Sequence, residues 1–541
     1  MERNSDLCRQ DPSNIQAWLV GHGLASLVAA VYLIRKGGIP GAHIHIFDLH
    51  SDVGGEMIVS GNAEDGYSLP FYCLPYLHGE CVKELLDLVP DIQHNGKSLA
   101  DDVREFRCQL PHRGLPHPVP RAVSLDPSGT EAVSTKGIQL GLKDRMELIK
   151  FIVNPERALH AKRIEEVFEK PFFDTGFWSL WSTTFAFQPW HSAVEFRRHL
   201  RKYLEDIQTL NDVEKSIHTR FNLFESIVLP ITRYLKNEKV DFRYHAEVTD
   251  IKFYPDSDPT TVSEITVVED GRECLIDLDP QDICLVDVGF SRSGAVFGSN
   301  DHPPPFLSSD WEDLLLREWR LWQTLARKSP KFGDPMTFLS RPLESGIETF
   351  TTTLRGSTFM DLYDKLTQDK AGTGALLSLV KSNWSLTISV PHQTLFASQP
   401  DDVHILCGYA LRPSEEGNFV HKPMFACTGK EIFTEVLAHL NFLPCQEVML
   451  AENAITIPCG MPLGTAPFLT RSAKDRPPVI PPNTTNVAML GQFAELPDDT
   501  TMSLDYSVRT AQVAVAELLG LPQRPVSVNK NIFLEILDLL V

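Results

Sequence analysis

Gly21 and Gly23 flank His22, and Asp48 follows after an apolar run. This is the chemistry of a dinucleotide site. Gly21 allows a tight turn, Gly23 lets the backbone approach a diphosphate, and Asp48 can accept a hydrogen bond from a ribose hydroxyl. Leu24 and Ala25 open a helical pattern whose first amides favour an anion. Ser26, at the third glycine position of such sites, is small enough for close helix–strand packing. A second group of reactive side chains is Tyr72, Tyr76 and His78, in a stretch interrupted by Pro70 and Pro75. Its hydroxyls and imidazole can donate protons or polarise a carbonyl. A third is the aromatic block Phe172 to Phe196, where Gln188, His191 and Ser192 punctuate apolar rings. Phe187, Gln188, Trp190 and His191 are the candidate substrate contacts, because apolar cavities with a few convergent polar groups hold ligands.

These residues need elements to hold them. Ala17 to Val20 reads as a buried strand. Leu24, Leu27, Val31 and Ile34 share one helix face, Gly37-Gly38 ends that helix, and His43 to Phe47 is a second strand. The order is strand, helix, strand, acid. Gly54, Gly55 and Glu56 come shortly after Asp48 and tilt the nucleotide towards FAD, since a paired glycine lets the chain pass close to the diphosphate. Asp48 in place of an arginine argues against NADP. Residues 240–253 read as a strand pair carrying Val248, another candidate cofactor contact. Residues 261–287 read as a hairpin and a buried run. Late in the chain, Val487 to Leu490 is a strand, Gly491-Gln492-Phe493 a turn, and Ser503 to Leu519 a long helix that includes Ser507. This late unit returns to the cofactor. Residues 82–100 and 143–172 read as helix, the latter broken at Pro155. The Pro- and Gly-rich stretch 108–140 reads as irregular.

The chain has 541 residues, 43% hydrophobic and 22% charged, which calls for several domains. The expected fold class is α/β: a Rossmann-like, discontinuous FAD-binding domain with a mixed α+β substrate domain and a helical cap. Residues 1–14 are expected as a disordered arm. Residues 15–110, 221–300 and 481–541 are the three parts of the FAD domain, 111–220 an irregular segment and aromatic cap, and 301–480 the substrate domain. Lys+Arg 50 against Asp+Glu 71 gives a net charge of −21, which argues against nucleic acid and anionic membrane as partners. No apolar run is long enough to span a bilayer, and the polar N-terminus has no secretory h-region. The 10 cysteines form no CxxC pair and read as buried thiols in a reducing compartment. The expectation is a cytoplasmic protein without a stable membrane anchor, with an apolar small-molecule substrate and no metal; a homodimer is a possible assembly.

Four blocks carry a family resemblance: GGEMIVSGNAEDGY at 54–67, FWSLWSTTFAFQPWHSAVEFRRHL at 177–200, GYALRPSEEGNFVHKPMFACTGKEI at 408–432 and NVAMLGQFAELPDDTTMSLDYSVRTAQVAV at 486–515. Together they resemble the FAD-containing oleate hydratases, also called myosin-cross-reactive antigens. The resemblance implies bound FAD, no net redox chemistry, and addition of water across an isolated double bond of a long fatty acid.

The chain also departs from that pattern. The family segment Arg-Gly-Gly-Arg-Glu-Met, whose glutamate is assigned to water activation, is matched here by Pro70 to Pro75, with Leu74 at the glutamate position. The family segment Thr-Pro-Tyr-Asn-Gln-Tyr-Glu-Ser, with a tyrosine proton donor, is matched by Thr219 to Ser226, with Phe221 and Phe224 at the tyrosines. Leucine cannot activate water and phenylalanine cannot donate a proton. Leu74, Phe221 and Phe224 are therefore expected as apolar pocket wall, and any catalytic role passes to Tyr72, Tyr76 and His78. The expected function is a non-redox lyase or cyclase acting on an apolar unsaturated substrate, such as an intramolecular cycloaddition of a terpenoid or polyene in secondary metabolism. The alternatives are a fatty-acid double-bond hydratase with relocated acid and base, and a non-catalytic lipid-binding flavoprotein.

Overall fold

A computed structural model describes residues 11–21, 23–50, 57, 59–69, 79–92, 96–109, 122–126, 129–132, 140–207, 219–306, 315–368, 370–497, 499–526 and 528. Its centre is a five-stranded parallel sheet in the spatial order Val487–Leu490, Ile283–Asp287, Ala17–Val20, Ile44–Phe47, Asp241–Arg243. Ala17–Val20 is buried at every residue, as a strand covered on both faces must be. The helix Leu24–Arg35 crosses from the first strand to its neighbour and is buried from Leu24 to Leu33. The late helix Leu504–Leu518 packs on it. There the Gln512 amide donates to Glu84 Oε2 at 2.9 Å and to the Tyr32 hydroxyl. One sheet is thus built from three distant parts of the chain. Ala17–Val20 is flanked on one side by the strand that follows it and on the other by Ile283–Asp287. The direction of winding reverses there, which opens a crevice at the carboxyl ends of the strands.

Ala246–Tyr254, Thr261–Glu269 and Arg272–Asp277 form a three-stranded antiparallel sheet beside it. Asp270 and Gly271, both at positive φ (49° and 76°), make its second turn. A mixed eight-stranded sheet forms the other large unit. It runs Val296–Phe297, Ala454–Met461, Ile347–Arg355, Val403–Ala410, Leu386–Ser389, Leu376–Leu379, Ala122–Asp126, Gly129–Ala132. Residues 140–207 supply the helical cap, with Leu142–Val153, Gly176–Phe185 and Ala193–Ile207 around a core of aromatic rings.

Several sequence expectations need correction. Residues 82–100 are not one helix. Glu80–Leu88 ends before Pro90, which bridges to Ser98, and Leu99–Gln109 starts anew. The stretch 108–140 contains two paired strands. Ala122–Asp126 pairs with Gly129–Ala132 as a local hairpin and joins the large sheet through Leu376–Leu379, far away in sequence. Pro12–Asn14 of the expected arm is a short 3-10 turn capped by Asp11. Not all cysteines are buried: Cys108, Cys274 and Cys445 are exposed.

The strand Ile347–Arg355 carries one unexpected acid. Glu348 is fully buried, and neither carboxyl oxygen has a hydrogen-bond partner among the described residues. It lies on the strand face of Phe350 and Leu354, which belong to an apolar core. Burial pushes its carboxyl well above the ordinary 4.5, so the folded chain holds this acid protonated. Above about pH 4.5 the unfolded chain ionises and the folded chain does not, so this residue increasingly opposes folding as pH rises. Glu348→Met is expected to stabilise by about 1–3 kcal/mol, more at mildly alkaline than at mildly acidic pH. Urea unfolding at two pH values measures both.

Candidate functional site

The first strand ends at Gly21, whose φ of +93° suits glycine and whose amide donates to Phe47 O at 3.0 Å. Gly23 is the N-cap of Leu24–Arg35 and contributes no capping side chain, so the first amides of that helix are left for another acceptor. A Cβ at Gly23 would overlap the Phe290 ring and lie 2.6 Å from Asp287 Oδ2. Gly491, at the end of Val487–Leu490, has φ +88°, and a Cβ there would overlap Asp287 Oδ1. Gly23 and Gly491, from two strand ends, thus face the Asp287 carboxylate, and Gly21 lies against its Cβ. Ser26 is fully buried, as close packing of this helix requires.

A cleft of about 300 Å³ runs from this cradle along the carboxyl ends of the strands, with Gly21, Asp48, Val248, Asp287 and Arg292 in its walls. Asp48 is buried, and its Oδ1 accepts from the His50 amide at 2.7 Å. His50 Nε2 lies 3.4 Å from Glu318 Oε1. That hydrogen bond, against the opposing effect of burial, raises the imidazole above its ordinary value. Arg317 Nε donates to Glu247 Oε2 at 3.0 Å on the same rim. Of the expected cofactor contacts, Gly21, Asp48 and Val248 line the cleft, and Gly23, Leu24 and Ala25 begin the helix beside it. Gly491 closes the cradle and is followed by the buried Gln492. Phe493 instead packs into a core with Trp319, Trp322 and Phe338, with ring centroids 4.8, 5.8 and 5.1 Å away. Ser507 is buried in the first turns of the late helix, where its carbonyl accepts from Thr510 Oγ1. Gly54, Gly55 and Glu56 lie outside the described residues. Sequence reading missed Asp287, His50, Arg292 and Glu318. Asp287 had a signal, since it stands at the carboxyl end of the buried run Ile283 to Val286, where ligands of parallel sheets bind.

The candidate substrate contacts fall into two separate places. Phe187 is fully buried and stacks on Phe468 at 4.2 Å. Trp190 Nε1 donates to Glu344 O at 2.8 Å. His191 accepts from the Gln188 amide through Nδ1 at 3.0 Å, so its proton sits on Nε2, 3.3 Å from Thr465 Oγ1. The Thr465 hydroxyl then donates to Ser345 O at 3.0 Å. Burial lowers the His191 imidazole to about 3. It is neutral and fully engaged. Phe187, Gln188, Trp190 and His191 therefore join the cap to residues 342–345 and 465–468, beside the strands Ile347–Arg355 and Ala454–Met461. Phe221 and Phe224 lie elsewhere, with Phe224 against the core of the dinucleotide domain. Phe224–Val228 is a π-helical turn. Pro230, which follows, has no amide to donate back to Ser226, and this favours the wider turn. Asn222 ties this corner to Leu395 O through its amide at 2.8 Å and its side chain at 3.0 Å.

Tyr72, Leu74, Tyr76 and His78 lie outside the described residues, but both ends of their segment are anchored. The Tyr67 and Leu69 amides donate to Thr353 and Thr351 Oγ1 at 2.8 and 3.0 Å. At the other end, the Cys81 amide donates to Asp505 Oδ1 at 3.1 Å. Tyr67 and Leu69 are thus attached to the eight-stranded sheet, and Cys81 to the start of the late helix Leu504–Leu518.

A buried ionic network holds the cap to that domain. Arg471 Nη2 lies 2.9 Å from Glu195 Oε1 and 2.8 Å from Glu495 Oε2, and Arg476 Nη1 is 3.2 Å from Glu195. Arg198 bridges Glu495 at 2.8 Å and Glu156 at 2.6 Å. Lys202 reaches Asp499 at 2.8 Å. Burial alone would raise the Glu195 carboxyl, yet Arg476, Arg471 and Arg198 bring it down to about 2.

With the geometry in place, comparison with known proteins decides the family. A model of the MCRA family matches residues 14–516. This chain belongs to the MCRA family. An oleate hydratase of Streptococcus pyogenes serotype M49 (strain NZ131) is 32% identical over 538 residues, covering 94% of this chain and 86% of that protein. A linoleate hydratase of Lactiplantibacillus plantarum is 28% identical over 547 residues, covering 94% of each. Among solved structures, cyclohexylamine oxidase from Brevibacterium oxydans IH-35A superposes with a TM-score of 0.51 at 13% identity, over 94% of this chain and 99% of that one. That likeness concerns the fold alone. The cofactor of this MCRA protein is FAD. The cleft suits it, with a glycine cradle at an uncapped helix N-terminus and the buried Asp48 at the end of the neighbouring strand. Among the described residues, no helix is long and apolar enough to cross a membrane.

Proposed function

We propose that this MCRA protein is a hydro-lyase that adds water to a carbon–carbon double bond of a long unsaturated fatty acid. Similarity to an oleate hydratase along nearly the whole chain carries the reading. The cyclase expected from the sequence has no such support and gives way to it. Bound FAD supplies a structural and electrostatic component without net redox chemistry. The chain's own residues supply the rest. The cap excludes water through its aromatic core, and Trp190 and His191 fix it to residues 342–345 and 465–468. Proton donation and water positioning fall to Tyr72, Tyr76 and His78.

One observation favours a second reading. Phe221 and Phe224 stand where the family pattern has tyrosines, and a purely shape-driven cyclisation needs no acid. Product mass separates the two. FAD-loaded protein incubated with oleate or linoleate is expected to give a hydroxy acid heavier by one water. A product of unchanged mass would support cyclisation, and substrate bound without turnover would mean a lipid-binding protein. In the same assay, one of Tyr72→Phe, Tyr76→Phe and His78→Ala is expected to lose about 100-fold or more in rate, the usual weight of a general acid or base.

A further inference from the structure

The Asp287 carboxylate stands in an unusual place for a dinucleotide site. Its Cβ lies 3.0 Å from where a Cβ of Gly21 would be, its Oδ2 2.6 Å from that of Gly23, and its Oδ1 overlaps that of Gly491. Gly21 and Gly23 are the positions at which a dinucleotide fold turns tightly and brings its backbone against the diphosphate, and Gly491 borders the same space from the late strand. The helix Leu24–Arg35 starts there with a glycine N-cap that supplies no capping side chain, so its positive end attracts an anion. Asp287 is an anion tethered to the adjacent strand, which ends at this residue. It also lines the cleft that leads away from the cradle.

We propose that Asp287 competes with the FAD diphosphate for the glycine cradle and thereby sets how tightly this chain holds its cofactor. A carboxylate and a diphosphate cannot share that volume, and their like charges repel strongly where water is partly excluded. FAD binding therefore requires the Asp287 side chain to turn out of the cradle, and the work of turning it out is subtracted from the affinity. The tethered anion is a property of this residue and does not depend on which reaction the protein performs. It rests only on FAD as the cofactor.

Two substitutions separate charge from volume. Asp287→Asn keeps the shape and removes the charge, and Asp287→Ser removes both. Full-length protein freed of flavin is titrated with FAD, with quenching of flavin fluorescence as the readout and thermal melting as the check on folding. Both variants are expected to bind FAD at least tenfold more tightly than the wild type, Asp287→Ser the more so. Folded variants that bind no more tightly than a wild type that does bind FAD overturn the proposal alone. Failure of every form, wild type included, to bind FAD overturns the cofactor assignment along with it. Binding by the variants but not by the wild type would be the strongest support.

Discussion

Gly23→Val yields a protein that purifies without flavin colour. The first added carbon overlaps the Phe290 ring and lies 2.6 Å from Asp287 Oδ2, and valine adds two more methyl groups. Phe290 and Asp287 both line the cofactor cleft, so the added side chain competes with them and with the diphosphate for the same volume. Overpacking of this kind costs about 1–3 kcal/mol, or roughly 5- to 150-fold in FAD affinity, and the branched side chain also stiffens the N-cap. Ligand binding to the folded state raises apparent stability with the logarithm of ligand concentration over Kd. The wild type is therefore expected to melt higher when FAD is added, and the valine variant to show little or no shift. A variant that retained stoichiometric FAD would remove Gly23 from the cofactor site.

Glu195→Gln is expected to have the largest effect on stability, a loss of about 3–5 kcal/mol. Glu195 is fully buried between Arg471 and Arg476, and neutralising it leaves two buried cations with less than their share of negative charge. Glu495 touches both arginines and Arg198, so the change is felt where the turn after Leu490 meets the cap. The pH dependence has a definite sign. Glu195 titrates near 2 in the folded chain against an ordinary 4.5. Its contribution is thus complete above about pH 4.5 and is lost as pH falls from there towards 2. Urea denaturation across that range should show the wild type losing stability faster than the variant, with the two curves converging at the acid end.

The parts of this account that were legible in the sequence are those where local pattern and global structure agree. Gly21, Gly23 and Asp48 sit in a strand–helix–strand unit whose period, turn residues and buried run all specify the same arrangement. The late strand Val487–Leu490 and its helix were readable for the same reason. What escaped was set by distant partners. The hairpin at 122–132 pairs within itself but joins the eight-stranded sheet through Leu376–Leu379, a distant partner that nothing near it in sequence announces. His191 looked like a ligand-binding histidine because residue type says nothing about hydrogen-bond partners. Only the fold shows the chain from Gln188 through His191 and Thr465 to Ser345 that occupies both ring nitrogens. Asp287 ends a run that was read as no more than a buried strand, and its meaning appears only when Gly21, Gly23 and Gly491 converge on it. The ionic network shows the same limit: Glu195, Arg471 and Glu495 come from three separate segments.

The reaction itself is tested most directly by the origin of one oxygen atom. FAD-loaded protein is incubated with oleate in water enriched in heavy oxygen, and the product is analysed by mass spectrometry. A hydro-lyase must place one solvent oxygen on carbon and lose the double bond, with no consumption of molecular oxygen. The expected product is therefore a saturated hydroxy acid carrying a single heavy oxygen. A product without the label, or an isomer of the substrate with its oxygen count unchanged, would contradict water addition as the chemistry of this chain.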